Sequence, residues 1–270
     1  MNDDDLKDLH NAVKLLENPS LSVKVADVIG TPIEKAIAAL PSKAKAVINS
    51  ATEKAIHKAL KVSFGTMEYY DPKSDIEAPK SSDLWHKAAT ATTGALGGAF
   101  GVMALTIELP ISTTIMMRSI ADIARSEGAD MQNIQTQLEC VQVLALGGPS
   151  NKNNTTEVGY FVTREAMTKA ISEAYAHIAS HSFKKEGAPA VIKLINRIAE
   201  RFSLNVTDKV AGQFVPIIGA IGGALINTIF MDHFQNMARG HFIILRLENK
   251  YGAEKVRQKY NDFNNKMKLD

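Results

Sequence analysis

Apolar residues recur along most of the chain at the three- and four-residue spacing of amphipathic helices. The first such pattern covers Asp3 to Leu16 and ends before Asn18-Pro19, because proline stops the preceding helical turn. A second pattern runs from Lys35 to Lys61, is broken near Pro41 and carries lysines between its apolar positions. Both patterns predict helices, and the second helix has a basic side.

Further helical patterns fill the second half of the chain. They cover Met131 to Leu146, Tyr160 to Phe183, Ala190 to Phe202 and His241 to Phe263. Glycine is expected to interrupt the last of these at Gly252 and to end an earlier helix at Gly128. No series of alternating, β-branched segments flanked by turns is found. The sequence therefore predicts an all-α, multi-helix bundle.

Two long segments carry almost no charge. Ala88 to Met117 has Glu108 as its one ionisable side chain, and Val210 to Met231 has none. Both contain the pattern GAxGGA, in which glycines one turn apart form a groove that admits a neighbouring helix backbone. We predict that these segments form two apolar core helices that pack together through Gly94, Gly97, Gly98, Gly101, Gly219, Gly222 and Gly223.

Each segment also reaches the length of about 20 residues that a membrane-spanning helix needs. Against spanning, both are rich in small residues, each contains a proline (Pro110 and Pro216), and one contains Glu108. We favour burial inside a bundle and leave entry into a bilayer open. The basic helix offers a third arrangement, in which Lys43, Lys54, Lys58 and Lys61 contact an anionic membrane surface.

Composition narrows the classes of function. The chain has 270 residues, of which 45% are hydrophobic and 6% aromatic, so a large core must be built from small side chains. A formal charge of +2 is too small to favour nucleic acid. Cys140 is the single cysteine and the acidic start lacks a secretory pattern, which favours a cytoplasmic protein, with attachment to the inner face of the membrane as one arrangement.

The chain is predicted to form a single domain over residues 1–270. Within it, residues 1–70 are compatible with an N-terminal helical subdomain, residues 70–83 with a turn-rich linker and residues 84–270 with the main bundle.

Glu108 is the strongest candidate site residue, because a carboxylate in an apolar segment needs a cation or hydrogen-bond donors nearby. Arg118, Lys209 and Arg246 are candidate structural partners, and a general base, metal ligand or pocket anchor is the functional alternative. If the two apolar segments pack together, further polar residues are expected near it. These candidates for a pocket or a buried polar cluster are Arg118, Asp122, Asn227, Asp232 and His233.

Glu173, His177 and His181 are spaced four apart and share one helical stripe, a weak candidate for a metal site because no HExxH motif accompanies it. Two histidines on an alanine-rich helix are more often plain surface side chains. The glycine-containing loop at Gly147 lacks P-loop spacing, and no GxSxG motif occurs. No cofactor is predicted.

The chain resembles the EcsC family of bacterial proteins over most of its length. The resemblance rests on short motifs and single residues in a fixed order. They are Thr31-Pro32, Leu40-Pro41, Glu108-Leu109-Pro110, Arg118 to Arg125, Ala145 to Gly148, Gly159-Tyr160, Arg164, Val215 to Ala220, Asn227, Phe230, Arg246-Leu247-Glu248 and Tyr251-Gly252. The resemblance implies a helical cytoplasmic protein linked to membrane or transport processes. It implies no reaction.

Three hypotheses follow. The leading one is a non-catalytic, membrane-peripheral accessory or regulatory protein whose partner is a membrane surface or a membrane protein. The second is a metal-dependent hydrolase that uses Glu108 and Asp122, or the stripe at Glu173. The third is a carrier of lipid or another small ligand, with a pocket between the glycine-rich helices.

Overall fold

The computed structural model describes residues 1–17, 20–66, 105–147, 159–181, 188–214 and 219–268, and these residues form helices and turns without a strand. The prediction of an all-α, multi-helix bundle is confirmed. The helices are α1 (Asp3–Leu16), α2 (Leu21–Ile29), α3 (Ile33–Ala38), α4 (Ala44–Thr66), α5 (Leu105–Ser126), α6 (Ile134–Gln142), α7 (Tyr160–His181), α8 (Pro189–Gln213), α9 (Gly219–Tyr251) and α10 (Ala253–Met267), with a 3₁₀ turn at Val143–Ala145 after α6.

The helix ends follow local sequence signals. The Asn2 side chain accepts a hydrogen bond from the backbone N–H of Asp5 at 2.8 Å and so caps α1. Pro189 opens α8 at a position where its missing N–H has no cost. Gly252 has a φ of 86°, a backbone conformation that favours glycine, and it separates α9 from α10.

The core lies between α4, α5, α8 and α9. α4 packs most extensively against α5 and α8, and α9 packs against the same two helices. The buried side of α4 carries Ala51, Ala55 and Ala59, one turn apart, which suits close approach of neighbouring helices. Phe230 and Phe234 stack edge-on at 5.1 Å in the centre of the same group. The expected core of small side chains is therefore filled out by a few aromatic rings.

α1 docks against the end of the molecule that α9 and α10 form. α1 packs along α9 and also contacts α10. Lys250 Nζ and the Tyr251 hydroxyl donate hydrogen bonds to Asp5 Oδ2 at 2.7 and 2.6 Å. An added Cβ at Gly240 would lie 2.6 Å from Leu16 Cγ, so α1 approaches the backbone of α9 directly. Gly240 is thus a close-packing glycine that the sequence pattern did not single out.

The predicted boundaries differ from the structure in several places. The helix predicted over Met131 to Leu146 begins at Ile134, and the helix predicted from His241 is the second part of α9, which begins at Gly219. α2 was not predicted, although Gly30 ends it with a φ of 63°. The helix predicted over Ala190 to Phe202 continues to Gln213, so the first residues of the second apolar segment belong to α8. From Gly219 onward the segment belongs to α9, where Gly223 is buried but Leu225 is 46% exposed.

The packing of two glycine-rich helices stays a prediction. Gly94, Gly97, Gly98 and Gly101 lie outside the described residues, as do the predicted linker and the surroundings of Gly219 and Gly222. Among the helices that are described, none is both long and apolar enough to cross a bilayer.

Candidate functional site

Glu108 lies in the first turn of α5 and points into the bundle, where its side chain is 7% exposed. Its partner is Lys209 of α8, which is fully buried and whose Nζ donates to Glu108 Oε1 at 2.7 Å. Of the three cations considered from the sequence, the structure therefore selects Lys209. The attraction between two opposite charges at this distance offsets part of the cost of removing both from water.

Asn227 completes this cluster from α9. Its Nδ2 donates to Glu108 Oε1 at 3.3 Å, and its Oδ1 accepts from Gln213 Nε2 at 3.3 Å. Lys209 Nζ also lies 5.0 Å from the centre of the Phe230 ring. We call Glu108, Lys209, Gln213 and Asn227 the buried polar cluster. It joins α5, α8 and α9 and supplies the Glu108 carboxylate with two donors, Lys209 and Asn227.

Arg118 and Asp122 do not reach this cluster. They follow Glu108 by ten and fourteen residues on the same helix, or about 15 and 21 Å along its axis. Arg118 is exposed, and Asp122 accepts a hydrogen bond from Arg125 Nη1 at 3.0 Å. The surface ion pair between Asp122 and Arg125 agrees with their spacing in the sequence.

His233 and Asp232 also face away from Glu108. The His233 ring packs on Gly147, where an added Cβ would lie 2.3 Å from His233 Nε2, and Asp232 acts electrostatically on Lys24 of α2. The ring nitrogens of His233 form no well-shaped hydrogen bond with the described residues, and the nearby Gly147 backbone only weakly favours the charged ring. Burial, and secondarily the charge of Lys24, lowers the pKa of His233 to about 3. His233 is therefore a neutral ring inside the fold.

The stripe of Glu173, His177 and His181 on α7 does not present a free carboxylate. Glu173 forms salt bridges with Lys193 at 2.9 Å and Lys169 at 4.0 Å. The side chain of His181 lies outside the described residues. Over the part of the chain that is described, no three His, Cys, Asp or Glu side chains gather as a metal ion would require.

A second polar arrangement escaped the sequence analysis. Glu139 of α6, His241 of α9 and Tyr160 of α7 form a chain in which His241 Nε2 lies 3.1 Å from Glu139 Oε2 and His241 Nδ1 lies 2.8 Å from the Tyr160 hydroxyl oxygen. Gln135 Nε2 donates to the other oxygen of Glu139 at 2.7 Å. Glu139 and His241 are 102 residues apart, so no local pattern pointed to their contact.

The electrostatics of this chain follow from its burial. Burial opposes ionisation of Glu139, but the hydrogen bond and charge of His241 outweigh it, so the pKa of Glu139 lies below its usual value. Burial raises the pKa of the Tyr160 hydroxyl. The arrangement therefore holds a carboxylate, an imidazole and a neutral phenol in fixed order. Hydrogen-bonded chains of this kind orient the catalytic groups of some enzymes. A chain of this kind also stabilises the packing of the helices that carry its members, here α6, α7 and α9.

Glu139 lines a cleft of about 450 Å³ between the turn after α5, the start of α6 and the second half of α9. Its other charged lining groups are already paired or bonded. Arg246 contacts Asp8 at 2.8 Å and Glu127 at 3.1 Å, and Asp130 caps the following turn by accepting from the N–H of Gln132. The cleft is polar, but its ion pairs connect α1, α5 and α9.

The model of the EcsC protein family matches residues 4–247. The chain belongs to the EcsC family. No curated protein matches it. No solved structure matches it either.

Several residues of the motifs that resemble the EcsC family take part in contacts between helices. Glu108 bonds Asn227 through the buried polar cluster. Arg164 donates two hydrogen bonds to Glu248, one to each carboxylate oxygen, both at 2.8 Å. Tyr251 reaches Asp5 at the start of the chain. Contacts between elements thus account for these residues in the EcsC pattern, without any reaction being implied.

Proposed function

We propose that this EcsC-family protein is a non-catalytic, membrane-peripheral accessory or regulatory protein. The supporting observation is the exposed side of α4. Lys54 and Lys58, one turn apart, are exposed there, together with Lys43 just before the helix. In the described residues, none of these three lysines forms an ion pair.

The charge of this surface suits an anionic membrane. Together with Lys45, which lies elsewhere on the first turn of α4, these lysines outnumber Glu53, and the net charge between residues 43 and 58 is +3 with His57 neutral. Each lysine near an anionic leaflet contributes about 1 kcal/mol of attraction. The opposite side of α4 is buried against α5 and α8, so the lysine side is the one available to a partner. The side chain of Lys61 lies outside the described residues.

The buried acids support the non-catalytic part of the proposal. Glu108 is paired with Lys209 and Glu248 with Arg164, and Glu139 is hydrogen-bonded to the His241 ring. A general base or nucleophile needs a group that can take up a proton or a bond at the substrate. These carboxylates instead hold helices together.

Sedimentation with lipid vesicles tests the proposal. The protein is expected to bind vesicles that contain phosphatidylglycerol, to bind less as salt is added, and to ignore vesicles of phosphatidylcholine alone. The triple variant Lys43→Gln, Lys54→Gln, Lys58→Gln is expected to bind at least about tenfold more weakly.

A matched control removes the same charge elsewhere. Lys259→Gln, Lys266→Gln and Lys268→Gln alter three exposed lysines at the C-terminal end of the described chain. The control variant is expected to bind as the native protein does. If the native protein stays in the supernatant with phosphatidylglycerol vesicles, the membrane-peripheral function is wrong.

A further inference from the structure

We infer that the cleft between the turn after α5, the start of α6 and the second half of α9 binds a small organic cation, such as a primary amine, through the Glu139 carboxylate. Its volume of about 450 Å³ lies in the range of small-molecule sites in proteins. The inference goes beyond the proposed membrane-peripheral function and does not depend on it.

Glu139 carries a buried charge without a fixed cation beside it. Its residue surface is 9% exposed, and it lines the cleft. Two donated hydrogen bonds, from the amide of Gln135 and the ring of His241, favour its ionised form. In the described part of the chain, no lysine or arginine forms a salt bridge with it. Since buried carboxylates are normally paired with a cation, this one leaves a counter-charge to be supplied from the cleft.

His241 does not replace a fixed cation, because it is charged only when it takes up a proton. With a neutral ring, Nε2–H donates to Glu139 and Nδ1 accepts from the Tyr160 hydroxyl. The Tyr160 oxygen in turn accepts from Arg164, so its own proton is free to point at the ring. The hydrogen-bonded chain is therefore complete without a positive charge on His241.

The two arginines of this region are bonded to other acids. Arg164 acts electrostatically on Glu139, but it donates a hydrogen bond to each carboxylate oxygen of Glu248 at 2.8 Å. Arg246 lines the cleft, but it contacts Glu127 at 3.1 Å and an acid of α1 at 2.8 Å. The charge of neither arginine is left over for Glu139.

Glu139 has room to accept a ligand. An ionised carboxylate offers about four acceptor positions, and Gln135 and His241 use two of them. Thr136 precedes Glu139 by three residues on α6, so the two side chains share one side of the helix, and both line the cleft. An ammonium group has three donors and can therefore bond the carboxylate and this hydroxyl together.

The rest of the lining favours an organic cation over a metal ion. Three acids and one arginine give the lining a formal charge of −2, and Phe242 and Leu245 offer apolar contacts to the carbon chain of a ligand. A metal ion needs several ligating side chains at once, and over the described ranges no three His, Cys, Asp or Glu side chains gather for one. A primary amine needs one carboxylate and an apolar wall.

Isothermal titration calorimetry on the full chain at low salt tests the inference. The probes are putrescine, which has an ammonium at each end, and 1,4-butanediol, which has the same carbon chain with neutral hydroxyl groups. Putrescine is expected to bind with one molecule per chain and 1,4-butanediol to give no saturable heat, because only the amine supplies the missing charge. Putrescine is also expected to raise the melting temperature, since a ligand of the folded state stabilises it.

Two variants alter the cleft in different ways. Glu139→Gln removes the charge at nearly constant shape and is expected to weaken putrescine binding at least about tenfold. Asn249→Trp places a large ring at an exposed position of the lining and is expected to weaken binding by blocking access. It leaves the buried chain unchanged, so it stays informative if Glu139→Gln folds poorly. Glu200→Gln removes an exposed acid of α8 outside the lining and is expected to bind putrescine as the native protein does.

The outcomes decide the inference separately from the proposed function. An absence of putrescine binding, or equal binding of putrescine and 1,4-butanediol, would overturn it. Native affinity in both cleft variants would place putrescine on another acidic surface and would also overturn it. Sedimentation of Glu139→Gln with phosphatidylglycerol vesicles is expected to match that of the native protein, so either proposal can fail while the other stands.

Discussion

At the scale of single residues, the main finding is that Glu108 has a dedicated cation. The sequence indicated that a lone carboxylate in an apolar segment needed a partner and named three cations. Choosing Lys209 required the fold, because it lies 101 residues away and on a different helix. Each residue of the buried pair depends on the other, because either charge alone would be buried without water or an opposite charge.

Lys209→Met is therefore expected to destabilise the protein by about 3–5 kcal/mol, because it leaves the Glu108 carboxylate buried with Asn227 as its remaining described donor. Combining it with Glu108→Gln is expected to recover much of this loss, since the amide carries no charge. The measurement is chemical denaturation followed by circular dichroism for both single variants and the double variant. Strictly additive losses would contradict a coupled ion pair.

The same scale shows where sequence reasoning stopped. Asn227 was expected near Glu108 and lies there, whereas Asp232 and His233, on the same helix, face other neighbours. Their side chains differ in direction because five and six residues rotate the helix by about 140° and 240° beyond one full turn. The contact between Glu139 and His241 had no local signal, since its two residues meet through tertiary packing alone.

At the scale of elements, proline, glycine and apolar spacing predicted most helices. α1 has the predicted bounds, and the break near Pro41 separates α3 from α4. The extension of α8 to Gln213 was missed because an uncharged segment was treated as one unit, although its first residues continue the preceding helix. The charge content of a segment indicates whether it is buried. It does not locate helix ends, which depend on local signals such as capping residues, glycine and proline.

Gly240 gives a test of element packing. Alanine at an ordinary helical position is favoured over glycine by about 1 kcal/mol, yet Gly240→Ala is expected to destabilise the protein by roughly 1–3 kcal/mol because its Cβ would meet Leu16. Adding Leu16→Ala is expected to restore part of the contact between α1 and α9. Thermal unfolding of the single and double variants measures both effects.

Gly159→Ala is the matched control, because the nearest atom to its added Cβ is the end of the flexible Glu17 side chain at 3.4 Å. A Gly240→Ala protein as stable as the native one would show that α1 does not approach α9 as closely as described.

At the scale of the whole molecule, His233 is expected to make the fold sensitive to acid. Its pKa is about 3 in the folded protein, against an ordinary value of 6.5, so the unfolded chain binds a proton first as the pH falls. The stability that depends on a neutral His233 is present above pH 6.5 and is lost progressively as the pH falls toward 3. Between pH 7 and pH 5 this amounts to about 2 kcal/mol.

Asp208 acts in the opposite direction. Burial raises its pKa to about 6 from 3.8, so its folded form binds a proton first and acidification through that range stabilises the fold. His233→Leu isolates the histidine contribution, and we expect its free energy of unfolding to fall less between pH 7 and pH 5 than that of the native protein. His57→Gln, which alters an exposed histidine of α4, is the control. An identical pH dependence in His233→Leu and native protein would contradict the buried neutral ring.

The attachment of α1 to α9 constrains the order in which the chain matures. Lys250 and Tyr251 reach Asp5 across 245 and 246 residues of sequence. During synthesis α1 leaves the ribosome long before its docking surface on α9 exists, so its apolar side stays unpaired until α9 has been made. Docking of α1 therefore follows the synthesis of α9, and a ribosome stalled before α9 would display α1 as an unpaired amphipathic helix.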